Sequence, residues 1–175
     1  MVRALLDSRP SLAFSVSCTT RPPRPGEVDG VHYRFVSEDE FERMVRSGQF
    51  LEWAEVFGNR YGTPLGEVEE ARARGADVLV EVDVQGARSV RGRVPDAVLV
   101  FLQPPSEQEL ARRLRARGTE AGQALGRRLA EARRELAEAS WFDHVVVNDR
   151  IEEATEAVLA IIDAARRSAA EGDPP

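Results

Sequence analysis

Residues 78–86 read Val78-Leu79-Val80-Glu81-Val82-Asp83-Val84-Gln85-Gly86, and this stretch decides the fold class. Its first five residues are apolar apart from Glu81, which predicts a buried strand over 78–82. Asp83 follows at the end of the strand, where an aspartate can cap the next helix. A buried strand that runs directly into a helix is typical of an α/β protein with a parallel sheet.

The rest of the chain alternates strand-like and helix-like segments in the same way. Further strands are predicted at 13–17, 50–57, 97–102 and 145–147. Two helices are predicted to start at capping boxes, one from Ser37 to Gly48 and one from Ser106 to near Gly118. A third is predicted from Thr63-Pro64, a cap followed by proline at the first helical position, to Gly75. Two more are predicted from Gln123 to Glu138 and from Ile151 to about Ala165. We expect one domain over 1–170 and a disordered tail at 171–175.

The charge composition has one unusual feature. The 175 residues include 30 acidic and 24 basic side chains, with a formal net charge of -6, and every basic residue is arginine. The lack of lysine excludes a Schiff base, an amine general base and the phosphate-reaching lysine of a Walker A loop. Arginine still binds phosphate well, so anion binding remains possible. The use of arginine in place of lysine could also be genomic in origin.

The composition also limits the cellular setting. No apolar run approaches the length of a membrane span, and the first six residues lack the apolar segment of a signal peptide. A single cysteine, Cys18, forms no internal disulfide. We expect a cytoplasmic protein that binds neither membranes nor, given its acidic charge, nucleic acid broadly. Protein partners are not predicted by the sequence.

The segment from Arg21 to Gly30 differs from its surroundings. Its three prolines and two glycines forbid a helix and predict a fixed, exposed loop. Arg21 and Arg24 lie three residues apart on it, directly after Thr19 and Thr20. A linker is one interpretation, whereas the two arginines favour an oxyanion site.

Several blocks in a fixed order together resemble the guanylate kinase family, whose members transfer phosphate from ATP to GMP. These blocks are Phe14 through Glu27, Gly30 through Tyr33, Phe50 through Ala54, Gly58 through Pro64, Glu81 through Gly86, Arg117-Gly118-Thr119 and Val147-Asn148-Asp149. The resemblance covers nearly the whole chain. It implies a three-layer α/β P-loop nucleoside monophosphate kinase core with a parallel sheet, a GMP-binding insertion at 21–68 and a lid at 110–136.

The resemblance implies a phosphate site and a base site for GMP. Arg21, Arg24, Tyr33 and Tyr61 match positions that hold the GMP phosphate, and two cations with two phenol donors suit a dianion. The matches beside the guanine base are Glu52 and Glu81, with Ser17 and Thr63 nearby.

Carboxylates suit guanine for a chemical reason. Guanine presents two donors, N1–H and an exocyclic amine, whereas adenine presents an acceptor at N1, so a carboxylate discriminates between them. A solvated acid on a strand is the alternative for both glutamates. The apolar run around Glu81 argues against that alternative, because an unpaired buried carboxylate is costly.

The resemblance also implies an ATP site with Mg²⁺. Asp83 matches a position that holds the metal through water, although it could simply cap the next helix. Arg113, Arg117 and Arg128 match lid arginines that reach the ATP phosphates, and Asn148 matches a position near adenine. The implied catalytic residues are Arg21, Asp83, Arg113, Arg117 and Arg128, which act by positioning and charge neutralisation in a direct in-line transfer.

One family feature is not found in these residues. The family begins with a strand and a Gly-rich loop, G-x-x-x-x-G-K-[ST], and we expect about 15 to 20 residues of this kind to be missing ahead of Val2. In this kinase class that strand lies in the middle of the sheet, so we expect a chain of these residues alone to be unstable or inactive.

Three explanations of the missing loop compete. The start of an ordinary guanylate kinase could be set too late; the chain could be a guanylate-kinase-like module that binds phosphorylated peptides; or it could be a pseudoenzyme that binds GMP. The retained residues Arg21, Arg24, Tyr33, Glu52, Tyr61, Thr63 and Glu81 favour the first explanation over the second.

Overall fold

The computed structural model describes residues 1–116 and 123–172, leaving aside the side chains of 123–125. They divide into two compact units. The N-terminal unit comprises Leu6–Ala97 with Val2, and the C-terminal unit comprises Val98–Pro175 with Met1 and Arg3–Leu5. Helix α1 spans Val2–Ser8. No helix in the described part of the chain is long and apolar enough to cross a membrane.

The N-terminal unit contains a pair of parallel strands with helices packed nearby. Strand β1 (Leu12–Phe14) pairs with β6 (Asp77–Leu79), with Ala13 opposite Val78. Helices α3 (Leu65–Ala73) and α4 (Val84–Arg93) contribute Val68 and Val90 to a buried cluster with Leu51. Parallel strands linked through helices confirm the predicted α/β class.

A four-stranded sheet completes the N-terminal unit. Strands β2 (Cys18–Thr19), β3 (Arg34–Phe35), β4 (Phe50–Val56) and β5 (Asn59–Pro64) lie in the order β3-β2-β5-β4, and β4 and β5 form an antiparallel hairpin. Its turn residues Phe57 and Gly58 have φ values of +52° and +74°, as a tight two-residue hairpin requires. Helix α2 (Glu38–Arg46) contributes Phe41, which stacks on Phe50 with ring centroids 4.6 Å apart.

One predicted helix start agrees with the structure, and another differs from it in detail. The capping box at Ser37 is confirmed, because its Oγ accepts a hydrogen bond from the Glu40 amide and α2 begins at the next residue. The helix predicted after Thr63-Pro64 is present as α3 but begins one residue later than predicted: Thr63 belongs to β5, and Pro64 is the N-cap rather than the first helical residue. The Thr63 hydroxyl bonds to a glutamate on the neighbouring strand instead of capping the helix.

The C-terminal unit has its own parallel pair. Strand β7 (Val100–Gln103) pairs with β8 (His144–Val147). The helices are α5 (Glu107–Ala116), α6 (Gln123–Ala137), a 3₁₀ turn (Ala139–Trp141) and α7 (Ile151–Glu171). Ser106 Oγ accepts from the Glu109 amide, which confirms the second capping box. The predicted end of α5 near Gly118 and the tail residues 173–175 lie outside the described residues, and α7 continues past the predicted end near Ala165.

The parallel strands are shorter or shifted relative to the predictions. β1 ends at Phe14 rather than residue 17, β6 ends at Leu79 rather than residue 82, and β7 begins at Val100 rather than residue 97. Within the described residues each of these strands bonds to a single neighbour, so only one edge supports its ladder. The apolar runs therefore extend beyond the hydrogen-bonded strands.

Candidate functional site

The arginine-bearing loop is anchored by the two threonines that precede it. Thr19 Oγ1 donates to the Arg60 carbonyl at 2.9 Å and accepts from the Arg21 amide at 3.2 Å. Thr20 Oγ1 accepts from the Arg60 amide at 3.0 Å. These bonds attach the start of the loop to strand β5, so Arg21 projects from a fixed backbone.

Arg21 is buried to an unusual degree for an arginine, with 9% of its surface exposed. Its Nη1 and Nη2 donate to the two carboxylate oxygens of Glu27 at 3.0 and 2.9 Å, and Nη1 also donates to the Pro22 carbonyl at 2.7 Å. Glu27 additionally accepts from the Arg24 amide at 2.7 Å. The pKa of Glu27 is lowered by this pairing with Arg21, so the carboxylate is ionised at neutral pH.

Two tyrosines complete a cluster around Arg21. Its guanidinium lies 5.4 Å from the ring centroid of Tyr33, and the rings of Tyr33 and Tyr61 meet edge to face with centroids 5.9 Å apart. Burial raises the pKa of Tyr33, and the charge of Glu81 raises it further. The structure therefore brings together Arg21, Tyr33 and Tyr61, with Glu81 near enough for its charge to act on Tyr33.

Glu52 is a buried carboxylate on the central part of β4, with 6% of its surface exposed. Its Oε1 accepts from the Thr63 hydroxyl at 2.6 Å and from the Thr63 amide at 3.1 Å. Burial raises the pKa of Glu52; the bonds from Thr63 partly oppose the shift, while the negative charge of Asp83 adds to it. The predicted pair of Glu52 and Thr63 is thus in direct contact.

The start of helix α4 closes one side of the Glu52 carboxylate. A Cβ placed on Gly86 would lie 2.6 Å from Glu52 Oε2, so a side chain at this position would require the carboxylate or the helix to shift. Asp83 caps the helix, its Oδ1 accepting from the Gly86 amide at 2.7 Å. The capping alternative for Asp83 is therefore present in the structure.

Ser17 and Glu81 occupy different environments. Ser17 is buried directly before β2, and its carbonyl accepts from the Arg34 amide at 2.9 Å. The expectation that Glu81 is buried inside a strand is wrong, because β6 ends at Leu79 and the Glu81 side chain is exposed. An exposed carboxylate beyond the strand end avoids the desolvation cost on which that expectation depended.

The residues around Asp83 fit a magnesium ion only in part. Within the described residues, no cluster of three or more histidine, cysteine, aspartate or glutamate side chains could hold a metal. One Asp83 oxygen is engaged in the helix cap, and the other lies 3.4 Å from the Gln85 amide nitrogen. Magnesium commonly keeps several waters and needs only one or two protein carboxylates beside substrate phosphates, so Asp83 suits a water-mediated role.

The C-terminal unit brings two of the predicted ATP residues together. Arg113 donates to the Asn148 carbonyl at 2.7 Å, to the Asp149 carbonyl at 3.3 Å and to Glu109 Oε1 at 2.6 Å. Arg128 lies half-buried in α6, whereas Arg117 lies outside the described residues. Arg113 is thus the predicted lid arginine whose position the structure defines in most detail.

Two residues of the site, Glu27 and Gly86, had no role predicted from the sequence. Glu27 lies six residues after Arg21 in a loop rich in cations, and an acidic residue in that context was an available signal for an ion pair. Gly86 offered no local signal, because its importance depends on the approach of Glu52 from another strand.

Comparisons with known proteins support the resemblance. A family model described as "Guanylate kinase" matches residues 1–165. The chain is 56% identical to the guanylate kinase of Symbiobacterium thermophilum over 160 residues, which cover 91% of this chain and 76% of that protein. It is 52% identical to the guanylate kinase of Rubrobacter xylanophilus over 174 residues, 99% of this chain and 90% of that one. The crystal structure of guanylate kinase from Anaplasma phagocytophilum superposes with a TM-score of 0.80 at 35% identity, covering 93% of this chain and 79% of the other.

Proposed function

This chain belongs to the guanylate kinase family, and from that premise we propose that it transfers the γ-phosphoryl group of ATP to GMP, giving ADP and GDP. The observation that carries the proposal is the buried, preoriented carboxylate of Glu52, in the same unit as the cluster of Arg21 and two tyrosines. One group suits a guanine base and the other suits a phosphate, which are the two ends of GMP.

We assign the guanine-reading role to Glu52. Its carboxylate has an oxygen, Oε2, that accepts no bond from Thr63, and it can accept from guanine N1–H and the exocyclic amine. AMP would place the N1 lone pair against the same carboxylate, leaving a buried charge unpaired. Glu81, Ser17 and Thr63 belong to this base site in the proposal.

The phosphate of GMP would bind at the cluster of Arg21, Tyr33 and Tyr61, with Arg24 from the same loop. A phosphate monoester carries a charge of about -1.5 to -2 at neutral pH, which a buried arginine and phenol donors can neutralise. The bonds from Thr19 and Thr20 fix the backbone of the loop, so little freedom is lost when the anion binds.

The ATP side of the proposal involves the C-terminal unit. Arg113 and Asn148 lie together there, and we propose that they bind ATP with Arg117 and Arg128. Guanidinium groups stabilise the charge that spreads over the transferred phosphoryl oxygens. We further propose that 110–136 acts as a lid and that 21–68 forms the GMP-binding region of one kinase domain.

Asp83 would hold magnesium through water, with the ATP phosphates supplying further ligands. Bound magnesium would neutralise phosphate charge. The chain itself contributes positioning: direct in-line transfer needs the two nucleotides aligned and water excluded, and it needs no covalent enzyme intermediate.

A second candidate function, for a polypeptide of these 175 residues alone, is a catalytically inactive module that binds GMP or phosphopeptides. The observation in its favour is the complete lack of lysine, since the phosphate-reaching lysine of the Gly-rich loop cannot come from these residues. For a polypeptide of these 175 residues we therefore expect GMP binding with transfer near background.

A rescue experiment separates the two candidates. Calorimetry first measures GMP, AMP and phosphopeptide binding to the 175-residue polypeptide, and GMP is expected to be preferred. A strand and Gly-rich loop from a family member are then fused ahead of Val2, and GDP formation from ATP and GMP is measured. Restored transfer supports the kinase; GMP or phosphopeptide binding without restored transfer supports the module; failure to bind GMP contradicts the assigned acceptor site.

A further inference from the structure

The hydrogen bonds that Arg21 donates to Glu27 and Pro22 use one edge of its guanidinium, and the Tyr61 side chain also interacts with this group. Nη1 has two N–H donors, one directed to Glu27 and one to the Pro22 carbonyl. Nη2 gives one N–H to Glu27. The Nε atom of Arg21 makes no hydrogen bond. It is buried, as is the side chain as a whole, with nine-tenths of the residue's surface covered.

The donors that remain lie on one side of the group. A guanidinium offers an end-on pair, formed by Nη1 and Nη2, and a side-on pair, formed by Nε and the outer N–H of Nη2. Glu27 occupies the end-on pair, so it leaves the two parallel N–H donors of the side-on pair to other partners. Such a pair matches two oxygens of a phosphate.

Glu27 is itself held in place from several directions. Its Oε2 accepts from Arg21 Nη1 and from the Arg24 amide at 2.7 Å, and its own amide donates to the Arg24 carbonyl at 3.0 Å. Displacing the carboxylate would leave the Arg24 amide and both Arg21 nitrogens without these partners. This arrangement favours a carboxylate that stays on Arg21 when an anion binds.

We propose that Glu27 is a positioning residue that fixes the Arg21 guanidinium end-on and thereby presents its Nε–Nη2 edge to the phosphate of the bound nucleoside monophosphate. The inference rests on the proposed function and adds a residue to it. The competing interpretation is a placeholder carboxylate that occupies Arg21 only until phosphate displaces it. The two interpretations predict opposite signs for the effect of removing the charge.

The test compares GMP with guanosine, which has the same base and no phosphate, in wild type and in Glu27→Gln. We expect Glu27→Gln to weaken GMP binding and to raise the KM for GMP about 10- to 100-fold, because a charge-assisted pair is lost. Guanosine binding and the KM for ATP should stay unchanged, and kcat should fall less than kcat/KM for GMP. Kinetic constants are taken in the loop-fused protein, where transfer is measurable.

The outcomes separate the inference from the proposed function. Unchanged or tighter GMP binding in Glu27→Gln would overturn the positioning role. Tighter binding would indicate that the Glu27 carboxylate is a placeholder that phosphate displaces. A wild type that binds GMP no better than guanosine would instead contradict the phosphate site of the proposed function. Asp96→Asn, which removes a carboxylate in an exposed pair with Arg72, is the matched control and should leave GMP binding unchanged.

Folding is checked in the same titration, because guanosine binding reports an intact base site. Should Glu27→Gln lose guanosine binding, Glu27→Asp takes its place, since it keeps the charge and shortens the reach by one methylene. A selective loss of GMP affinity in Glu27→Asp is then the expected result, and unaltered affinity would overturn the inference.

Discussion

Thr63 donates both its hydroxyl and its backbone amide to one oxygen of the Glu52 carboxylate, at 2.6 and 3.1 Å. The two residues lie on adjacent antiparallel strands, where their backbones are paired. Because Thr63 fixes Oε1, the orientation of the carboxylate is set before any ligand binds. Preorganisation of this kind reduces the cost of binding a base.

Replacing Gly86 by alanine tests how closely the Glu52 carboxylate is packed. The new Cβ would lie 2.6 Å from Glu52 Oε2 and 3.0 Å from Val82 Cβ, so the carboxylate or helix α4 must move. We expect Gly86→Ala to lose about 1–3 kcal/mol of stability and to weaken GMP binding. Thermal unfolding and calorimetric titration measure the two effects.

Gly92→Ala is the control in the same helix. A Cβ at Gly92 meets no atom within 4 Å, and alanine is the better helix former by about 1 kcal/mol. We expect Gly92→Ala to keep GMP affinity and to equal or exceed wild-type stability. A Gly86→Ala protein that behaves like Gly92→Ala would refute the close packing.

The pH dependence of GMP binding should reflect the environment of Glu52. Burial raises the pKa of its carboxyl, and the guanine donors bind only the ionised form. Below that pKa, GMP binding must release a proton, so affinity should fall with decreasing pH by up to about tenfold per unit. Isothermal titration at several pH values, in two buffers of different ionisation enthalpy, measures the proton release.

The phosphate of GMP titrates as well, near pH 6, and contributes its own pH dependence. Glu52→Gln lacks the carboxyl and keeps the phosphate contribution, so the difference between the two proteins isolates Glu52. Identical pH profiles in wild type and Glu52→Gln would argue against a carboxylate that ionises to bind guanine.

Thr19→Val tests the anchoring of the arginine loop. Valine keeps the shape of threonine but removes the hydroxyl that bonds the Arg60 carbonyl and the Arg21 amide. Because Thr19 is fully buried, we expect a loss of about 1–3 kcal/mol in stability and weaker GMP binding. Thr19→Ser, which restores the hydroxyl, should recover most of both losses, measured by chemical unfolding and titration. Equal behaviour of the valine and serine variants would exclude the hydrogen bonds as the cause.

Features encoded within a few residues were predictable from sequence. Ser37 and Ser106 cap their helices as predicted, because a cap depends only on the residue and the amides that follow it. The proline-rich loop bearing Arg21 and Arg24 adopts no helix, for the same local reason.

Features that depend on distant partners were not predictable. Thr63-Pro64 has the local signature of a helix start, yet the Thr63 hydroxyl is engaged by Glu52 from the neighbouring strand. The apolar run around Glu81 suggested burial, although the ladder that would extend the strand stops at Leu79. Glu27 needed the three-dimensional path of its loop before its bonds to Arg21 could be recognised.

The central claim, that Glu52 reads the guanine base, is tested most directly by GMP and AMP affinities of wild type, Glu52→Gln and Glu55→Gln. Glu55 lies on the same strand with an exposed side chain, so it is the matched control. We predict that wild type and Glu55→Gln prefer GMP strongly over AMP, and that Glu52→Gln loses about 5- to 150-fold in GMP affinity with little change for AMP. Equal affinity of wild type for GMP and AMP, or an unchanged preference in Glu52→Gln, would contradict the claim.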